Sequence, residues 1–310
     1  MIEVVNLTKA YKKGTAVDHI NFYIEPGEIV GLLGPNGAGK STTIAMLSTL
    51  IPPTDGDVLL QQKSVLKDPS SLRKVLGVVP QEIALYGDLT AKENLNFFGN
   101  LYKMPKTQLK NRVEVVLQQI GLEQESKKLV KHYSGGMKRR LNIGVALLHE
   151  PQYLIMDEPT VGIDPQSRNH ILETVKKLNE HSNTAIIYTS HYMEEVEYLC
   201  DRIYIMDQGR IIASGTKEEI KAILSSENTI VVKVENYSND FMNDLLKQPF
   251  LSNINSSEGE VAFTVAKGMN FLPTLFSLCE HHRVLLKSFQ VEEPTLEDVF
   301  LHLTGRALRN

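Results

Sequence analysis

The 310-residue sequence contains no apolar run that approaches the 18 or more residues of a membrane-spanning helix. Its N-terminal stretch, MIEVVNLTKAYKK, lacks the basic-then-apolar pattern of a secretory signal. The formal net charge is only -4, which gives no electrostatic footprint for nucleic acid or an anionic membrane. We therefore expect a soluble protein that binds no nucleic acid and reaches a membrane only through a partner.

Cysteine is also scarce. The two cysteines, Cys200 and Cys279, lie far apart and form neither a C-x-x-C pair nor a metal-binding spacing. This pattern indicates reduced thiols in the cytosol rather than a disulfide framework. The remaining composition, with 42% hydrophobic and 23% charged residues, is that of a globular protein with a packed core.

Short apolar runs alternate with helical periodicity from Ile2 to about Leu224, which predicts an α/β domain over residues 1–224. Within it, residues 89–150 carry mostly helical signals, and we interpret them as a helical subdomain inserted in the α/β core. One helix there is predicted to end at Gly121. Its apolar face consists of Leu109, Val113, Val116, Leu117 and Ile120.

A polar break at residues 225–228 predicts a second, smaller domain over residues 225–310. Its short strands and helices follow the order βαββαβ, which is typical of a ferredoxin-like α+β domain. A hairpin turn is predicted at Glu258-Gly259. Thr295 and Asp298 have the spacing of a capping box at the start of a closing helix.

The segment GPNGAGKS, residues 34–41, matches the phosphate-binding pattern G-x-x-x-x-G-K-[ST]. Glycine-rich backbone N–H groups converge on phosphate oxygens there, and the following helix directs its positive N-terminus at the same anion. Lys40 is expected to reach the β and γ phosphates, and the Ser41 hydroxyl is expected to bind Mg²⁺. The predicted order of strand, loop and helix indicates a P-loop NTPase core. Its nucleotide-binding residues are Gly34, Pro35, Asn36, Gly37, Ala38, Gly39, Lys40, Ser41 and Thr42.

Two adjacent carboxylates, Asp157 and Glu158, follow the apolar run YLIM. In a P-loop protein, an acid at the end of such a strand completes the Mg²⁺ shell, and we assign this role to Asp157. Glu158 is one residue further and points elsewhere, where a carboxylate could orient or deprotonate the attacking water. A surface acid near a helix start is the alternative interpretation of Glu158.

A second glycine motif, YSGGMKRRLNIGVALL, places Ser134, Gly135 and Gly136 before a predicted helix. These residues form another potential anion site at a helix N-terminus. Because the P-loop already holds one face of its nucleotide, the second site is most useful if it meets the nucleotide of another copy in a two-fold dimer. Taken alone, the segment is explained as well by a helix that Ser134 caps. We interpret the basic run at residues 138–140 as a solvated helix face.

The segments GPNGAGKST, VVPQ, YSGGMKRR, YLIMDEP, VGID and YTSH occur in this order. With them, the chain resembles the ATP-binding subunit of ABC transporters over about Ile2 to Leu224. The segments SGGMKRRL and EEPTLEDVFLHLTG are similar to the daunorubicin-resistance-type (ABC-2) exporters, whose ATPase and membrane subunits are separate chains.

The resemblance implies roles for further residues. Tyr11 would stack on the adenine, unless it is an ordinary aromatic at an edge. Gln81 would contact Mg²⁺ or the attacking water and sense the membrane subunit. Asp164 would lie in the loop that crosses the dimer interface, and His191 would hold the γ phosphate and position Glu158.

The signature motif departs from the family pattern, which usually reads Leu-Ser-Gly-Gly-Gln. Here Tyr133 and Met137 flank Ser-Gly-Gly. Met137 cannot make the hydrogen bonds of an amide, so a ribose or interface contact from that position is not implied. Ser134 and Gly136 retain the implied contacts with the γ phosphate.

The resemblance implies an ATP-hydrolysing subunit that uses ATP and Mg²⁺ as a homodimer. It would lie on the inner face of the cell membrane, bound to a separate ABC-2-type permease. The exported substrate would be an amphiphilic drug, an antibiotic or a lipid, with sodium as a lesser option. Residues 225–310 would be a regulatory or dimer-supporting domain.

Two alternatives belong to other functional classes. Soluble ABC-type ATPases that act on ribosomes or DNA usually carry two nucleotide sites or a long coiled-coil insertion, whereas this chain has one P-loop and no sustained heptads. A nucleotide-binding regulator that does not hydrolyse ATP would not need Glu158 and His191.

Overall fold

The computed structural model describes residues 1–224, 227–257, 259–292 and 294–305. The chain divides into two compact units, Met1–Lys217 and Glu218–His302, and residues 303–305 group with the first. The expected boundary after Leu224 stays a prediction, because Ser225 and Ser226 lie outside the described residues. Within the described ranges, no helix is both long and apolar enough to span a bilayer.

The first unit contains two sheets with connecting helices. Its strands are β1 (Ile2–Tyr11), β2 (Gly14–Ile24), β3 (Ile29–Leu33), β4 (Asp55–Leu60), β5 (Lys63–Ser64), β6 (Leu76–Val79), β7 (Tyr153–Asp157), β8 (Ala185–Thr189), β9 (Arg202–Asp207) and β10 (Arg210–Thr216). The helices up to residue 222 are α1 (Lys40–Leu47), α2 (Pro69–Arg73), α3 (Ala91–Leu101), α4 (Lys106–Gln119), α5 (Gly135–Leu147), α6 (Pro165–Ser182), α7 (Met193–Leu199) and α8 (Lys217–Ala222), with a 3₁₀ turn at Val130–His132.

A six-stranded sheet in the order β10-β9-β3-β8-β7-β6 forms the centre of this unit. The neighbours from β9 to β6 are parallel, and β10 is an antiparallel edge strand. Every residue of β3 and β8 is buried, which explains why these strands are continuous apolar runs without polar alternation. The predicted α/β core, with its strand, loop and helix around the P-loop, is confirmed.

The parallel arrangement brings four loops to one edge of the sheet. The carboxyl ends of β3, β6, β7 and β8 lead into the P-loop, Gln81, Glu158 and His191, respectively. Strands β7 and β8 are adjacent, and Asp157 pairs in register with Thr189. Open α/β sheets bind their ligands at this edge, so the topology alone collects the predicted catalytic residues.

An antiparallel sheet in the order β2-β1-β4-β5 lies in the same unit. The sequence analysis did not identify it. The pairing of β1 with β2 shifts register between Val4 and Leu7 and again between Leu7 and Lys9. Such bulges interrupt the alternation of apolar and polar residues by which a half-buried strand is recognised.

Helices α3, α4 and α5 occupy most of residues 89–150. Helix α3 begins with a capping box in which Thr90 and Glu93 bond each other's backbone N–H groups. Helix α4 buries its predicted apolar face, and Gly121 follows it in the left-handed region with φ of +62°. The predicted helix and its face are therefore confirmed.

Two arginines join α4 to α5. From α4, Arg112 donates to the carbonyl oxygens of Leu147 and Leu148 at the end of α5. From α5, Arg140 donates to the carbonyl oxygens of Ile120 and Gly121 at the end of α4. Each helix thus supplies a cation to the negative end of the other, which satisfies carbonyl groups that have no partner within their own helix.

The second unit is built on the strands β11 (Glu227–Glu235), β12 (Leu251–Ser257), β13 (Glu260–Ala266) and β14 (Leu285–Glu292). The remaining helices are α9 (Asn239–Leu246), α10 (Leu272–His281) and α11 (Leu296–Thr304). The sheet order is β12-β13-β11-β14 with antiparallel neighbours, so the predicted ferredoxin-like βαββαβ domain is confirmed.

Two smaller predictions fall in this part of the chain. The capping box at the start of α11 is confirmed, because Thr295 and Asp298 exchange hydrogen bonds between side chains and backbone N–H groups. The predicted hairpin turn lies between β12 and β13. It stays a prediction, because Glu258 lies outside the described residues.

The buried face of α4 leads to a stability prediction. Leu117 is buried, whereas its neighbour Gln118 is exposed. We expect Leu117→Ala to lower the free energy of unfolding by about 2–5 kcal/mol through lost burial and a residual cavity. The control Gln118→Ala should change it by less than about 0.5 kcal/mol. Urea denaturation followed by circular dichroism measures both, and equal effects would contradict the burial of this face.

Candidate functional site

The P-loop surrounds an open cavity through the conformation of its glycines. Gly37 and Gly39 have φ of +82° and +106°, a region that other residues adopt only with strain. A Cβ at Gly39 would lie 2.6 Å from the carbonyl oxygen of Ala16, and a Cβ at Gly34 would lie 2.4 Å from that of Met206. The glycines at these positions are therefore required by backbone shape and by close packing.

Helix α1 begins directly after this loop. Gly39 precedes the helix, and among the described residues no side chain caps the first turn. The N–H groups of this turn remain available to an anion, which is the arrangement that binds phosphate at helix N-termini.

Lys40 is buried at the start of α1 and donates to the carbonyl oxygens of Gly34 at 2.6 Å and Pro35 at 3.3 Å. Burial lowers the pKa of its ammonium group, whereas the Glu158 and Asp157 carboxylates act in the opposite direction. The cation is therefore held inside the loop, with two acids near it.

The cavity has a volume of about 710 Å³. Residues from β2, from the P-loop with the start of α1, and from the loops after β6, β7 and β8 line it. They are Ala16, Asn36, Gly37, Ala38, Gly39, Lys40, Ser41, Thr42, Gln81, Glu158, Val161, His191 and Tyr192.

The structure separates the two adjacent acids at the end of β7. The hydroxyl of Thr189, opposite in β8, donates to Oδ1 of Asp157 at 2.8 Å and accepts the backbone N–H of Glu158 at 2.9 Å. Glu158 adopts a left-handed backbone with φ of +47°, which costs a residue other than glycine about 1–2 kcal/mol. This turn directs Glu158 into the cavity and away from Asp157, and strain of this kind is characteristic of functional sites.

The carboxylate of Glu158 is held from both sides. Nε2 of His191 lies 2.6 Å from its Oε1, and Nε2 of Gln81 donates to its Oε2 at 2.7 Å. Since an ionised carboxylate only accepts hydrogen bonds, Nε2 of His191 carries a proton in this contact. Three residues that are far apart in the sequence thus meet beside the P-loop.

Arg139 is a residue of this site that the sequence analysis missed. The basic run at residues 138–140 was expected to be a solvated helix face, but Arg139 is only 4% exposed, so the interpretation is wrong there. Its guanidinium donates to the carbonyl oxygens of Pro80 at 2.7 Å and Gln81 at 2.5 Å. The flat, forked guanidinium thus links α5 to two consecutive carbonyl groups of the loop after β6.

The signature motif lies outside the cavity lining and against the loop that contains Asp164. The hydroxyl of Ser134 accepts the N–H of Met137 and caps α5, and Asp164 caps α6 by accepting the N–H of Ser167. A Cβ at Gly136 would lie 2.1 Å from the hydroxyl of Ser167, so a side chain has no room there.

Tyr11 is at the end of β1 and is 50% exposed, with the ammonium of Lys9 lying 5.5 Å from its ring centroid. It is not among the described residues that line the cavity. The structure therefore leaves its stacking on adenine untested.

The side chains around the cavity fit the requirements of Mg²⁺. In the cavity lining, Ser41 offers a hydroxyl and Gln81 an amide oxygen; Asp157, outside the lining at the end of β7, offers a carboxylate. Mg²⁺ in nucleotide sites takes one or two carboxylates together with substrate phosphates and water, and this donor set matches that preference.

Comparison with known proteins extends the description beyond the site. A family model described as ABC transporter matches residues 17–161. A second model, described as the C-terminal domain of DrrA1-3-like ATP-binding proteins, matches residues 215–304.

Two curated relatives are similar along the whole chain. The linearmycin resistance ATP-binding protein LnrL of Bacillus subtilis is 47% identical over 312 residues, which cover 100% of both chains. The Nod factor export ATP-binding protein I of Ralstonia nicotianae is 38% identical over 313 residues, or 100% of this chain and 95% of the relative.

A solved structure is similar as well. The ATP-binding cassette MJ0796, a dimer in a post-hydrolysis state with ADP and Pi, superposes with a TM-score of 0.63 at 27% sequence identity. The match covers 70% of this chain and 98% of that one. The chain thus belongs to the ATP-binding proteins of ABC transporters, in the daunorubicin-resistance-type exporter subfamily, and its activity is the hydrolysis of ATP.

Proposed function

We propose that this ABC ATPase powers the export of an amphiphilic drug, an antibiotic or a lipid through a separate ABC-2-type membrane subunit. The similarity to LnrL over the full length of both chains carries the proposal, because LnrL is named for resistance to linearmycin. The Ralstonia relative is named for export of Nod factor, which also favours an export direction.

The P-loop would hold the phosphates of ATP. Backbone N–H groups of residues 36–42, which include the uncapped first turn of α1, would bind the β and γ phosphate oxygens. Lys40 would exchange its bonds to the carbonyl oxygens of Gly34 and Pro35 for bonds to phosphate. This exchange replaces neutral acceptors of the ammonium group by negatively charged ones, which favours binding of the nucleotide.

Mg²⁺, when bound to Ser41, Asp157 and Gln81, would neutralise charge on the phosphates. The bond from Thr189 fixes the carboxylate of Asp157 before a cation arrives. Such a second partner for a metal ligand limits the reorganisation that binding requires.

Glu158 would act as the general base for the attacking water. Its Oε2 accepts the amide N–H of Gln81, and because a carboxylate oxygen can accept a second hydrogen bond, the same oxygen could also accept a proton of the attacking water. His191 would keep Oε1 fixed and present its imidazole to the γ phosphate. The two adjacent acids therefore serve different partners.

The active unit would be a homodimer with two nucleotides between the subunits, and the similar cassette MJ0796 was solved as a dimer bound to ADP and Pi. The signature residues Ser134, Gly135 and Gly136 would contact the γ phosphate bound by the other copy, and Asp164 would lie at the same interface. Their separation from the cavity of their own chain supports this assignment, because the anion site at the start of α5 then faces outward.

The dimer would work at the inner face of the cell membrane through its permease. The second unit contributes no residue to the P-loop cavity among those that line it. A regulatory or dimer-supporting role therefore suits it best. An action on ribosomes or DNA is less well supported, since the two full-length relatives are named for resistance and export.

The first test separates the two acids. Glu158→Gln keeps the size of the side chain but removes the base, so hydrolysis should fall by about 10²–10⁴-fold while ATP still binds and the dimer accumulates. Asp157→Asn should instead weaken the dependence of nucleotide binding on Mg²⁺. Gel filtration with ATP and a phosphate-release assay measure these effects. Normal turnover by Glu158→Gln would refute its assigned role.

The second test concerns the membrane partner. The tagged chain should co-purify in detergent with a polytopic protein encoded beside it. Resistance of cells to the exported compound should require both chains. The Glu158→Gln chain is the control, since it should still bind the partner but confer no resistance. Resistance in cells that lack the polytopic protein would contradict the transporter assignment.

The third test removes the second unit. A chain that ends at Leu224 keeps all residues of the P-loop cavity, so its affinity for ATP should stay within about 2–3-fold of the full chain. Dimerisation with ATP or transport should weaken. Analytical ultracentrifugation and an ATP-binding titration measure both properties. Loss of ATP binding itself would show that the boundary or the assignment is wrong.

A further inference from the structure

Glu195 in α7 is a buried carboxylate with no role in the description above. Its side chain is only 2% exposed, and it lies outside the lining of the P-loop cavity. Removing a carboxylate from water is costly unless hydrogen bonds and an opposite charge compensate for the lost hydration. The partners of Glu195 therefore indicate what the burial achieves.

Three hydroxyl groups converge on one oxygen of this carboxylate. Oε2 of Glu195 accepts from Thr160 at 2.8 Å, from Tyr188 at 2.9 Å and from Ser190 at 2.6 Å. The other oxygen, Oε1, is 3.5 Å from Nε of Arg168, which is an ion-pair distance rather than a good hydrogen bond. An ionised oxygen is the acceptor that best supports three short bonds at once.

Two of these hydroxyls flank the reacting pair in the sequence. Thr160 lies two residues after Glu158, and Ser190 directly precedes His191. The carboxylate of Glu195 thus holds the segment that carries Glu158 and the segment that carries His191. The 2.6 Å contact between Glu158 and His191 joins the same two segments.

The attachment also fixes the residue after His191. The hydroxyl of Ser190 donates to Glu195 and accepts the backbone N–H of Tyr192 at 2.9 Å. The ring of Tyr192 packs against the guanidinium of Arg168 at 4.1 Å, and Arg168 faces Glu195. The backbone is therefore restrained on both sides of His191 by groups that lead back to one carboxylate.

Tyr188 differs from the other two donors. It belongs to β8, it is fully buried, and its hydroxyl contacts Glu195 without flanking a cavity residue. Burial first and the Glu195 charge second raise the pKa of Tyr188 far above its usual range, so its hydroxyl remains a donor. Its residue is already held in β8 by pairing with Met156 of β7, so its bond to Glu195 adds less to the placement of His191 than the bond from Ser190 does.

We propose that Glu195 is a positioning residue for hydrolysis, and that it sets the distance between Glu158 and His191 through Thr160 and Ser190. The inference rests on the proposed role of Glu158 as the base. A shift of the two segments relative to each other would misplace the base, while the phosphate-binding loop would be untouched.

The main experiment is Glu195→Gln in the full chain. The amide keeps the volume of the side chain and one acceptor oxygen. It removes the negative charge that favours the three hydrogen bonds from hydroxyl groups and that lies opposite Arg168. We expect ATP affinity and KM to stay within about 3-fold, whereas kcat falls by about 10–10²-fold, the range typical of a small misplacement of catalytic groups. Glu194→Gln, at the exposed neighbouring position, is the matched control and should leave both parameters unchanged.

Single hydroxyl deletions distinguish positioning from general packing. Ser190→Ala, Thr160→Val and Tyr188→Phe each remove one bond to Glu195. If Glu195 positions the catalytic segments, Ser190→Ala and Thr160→Val should lower kcat more than Tyr188→Phe does, even where the three variants lower Tm equally. A kcat that follows Tm alone across the three variants would overturn the proposal, and these variants serve if Glu195→Gln does not fold.

A double-mutant cycle identifies the residue through which Glu195 acts. In the Glu158→Gln background, Glu195→Gln should cause no further loss of the residual hydrolysis, because its effect passes through the missing base. Additive losses would overturn the proposal. Normal kcat in Glu195→Gln together with inactive Glu158→Gln would refute this inference alone, whereas an active Glu158→Gln would refute the proposed role of Glu158.

Discussion

The site depends on the register of two neighbouring parallel strands, β7 and β8. Asp157 lies opposite Thr189, and the threonine hydroxyl bonds both Asp157 and the backbone of Glu158. The chain then turns through a strained left-handed residue, so the two acids diverge at a fixed angle. A slip of this register would move the metal ligand and the base together. The bonds from Thr189 to Asp157 and to the backbone of Glu158 hold the two strand ends in this register.

Features that consecutive residues specify were predictable from the sequence. The P-loop is one of them, because glycine spacing and the next helix together determine the phosphate site. The face of α4 and the capping box at Thr295 are also local patterns, and the structure contains both. The order of elements in the second unit was likewise recognisable. Gln81 and His191 were assigned only through the resemblance, because their partner Glu158 comes from another strand.

Features that depend on tertiary contacts were not predictable. The run Lys138-Arg139-Arg140 is hydrophilic, and nothing in its pattern indicates that Arg139 is buried against two carbonyl groups. Nothing in the sequence indicates that Glu195 is buried either, since its three donors come from β8, from the residue after β8 and from the loop after β7. The bulges in β1 hid the antiparallel sheet. Arg139 is 59 and 58 residues from its two acceptors, and Thr160 is 35 residues from Glu195, so only the folded chain shows these contacts.

The two bonds from Arg139 have a mechanical consequence. A planar guanidinium that donates to two consecutive carbonyl groups restricts both rotation and translation between α5 and the loop at Gln81. We therefore expect α5 and this loop to move together. Gln81 in turn bonds the base, while α5 begins at the signature glycines. A neighbouring molecule that displaces the signature glycines would therefore also change the hydrogen bonding of Glu158. The two hydrogen bonds from Arg139 thus connect the approach of a partner to the position of the catalytic base.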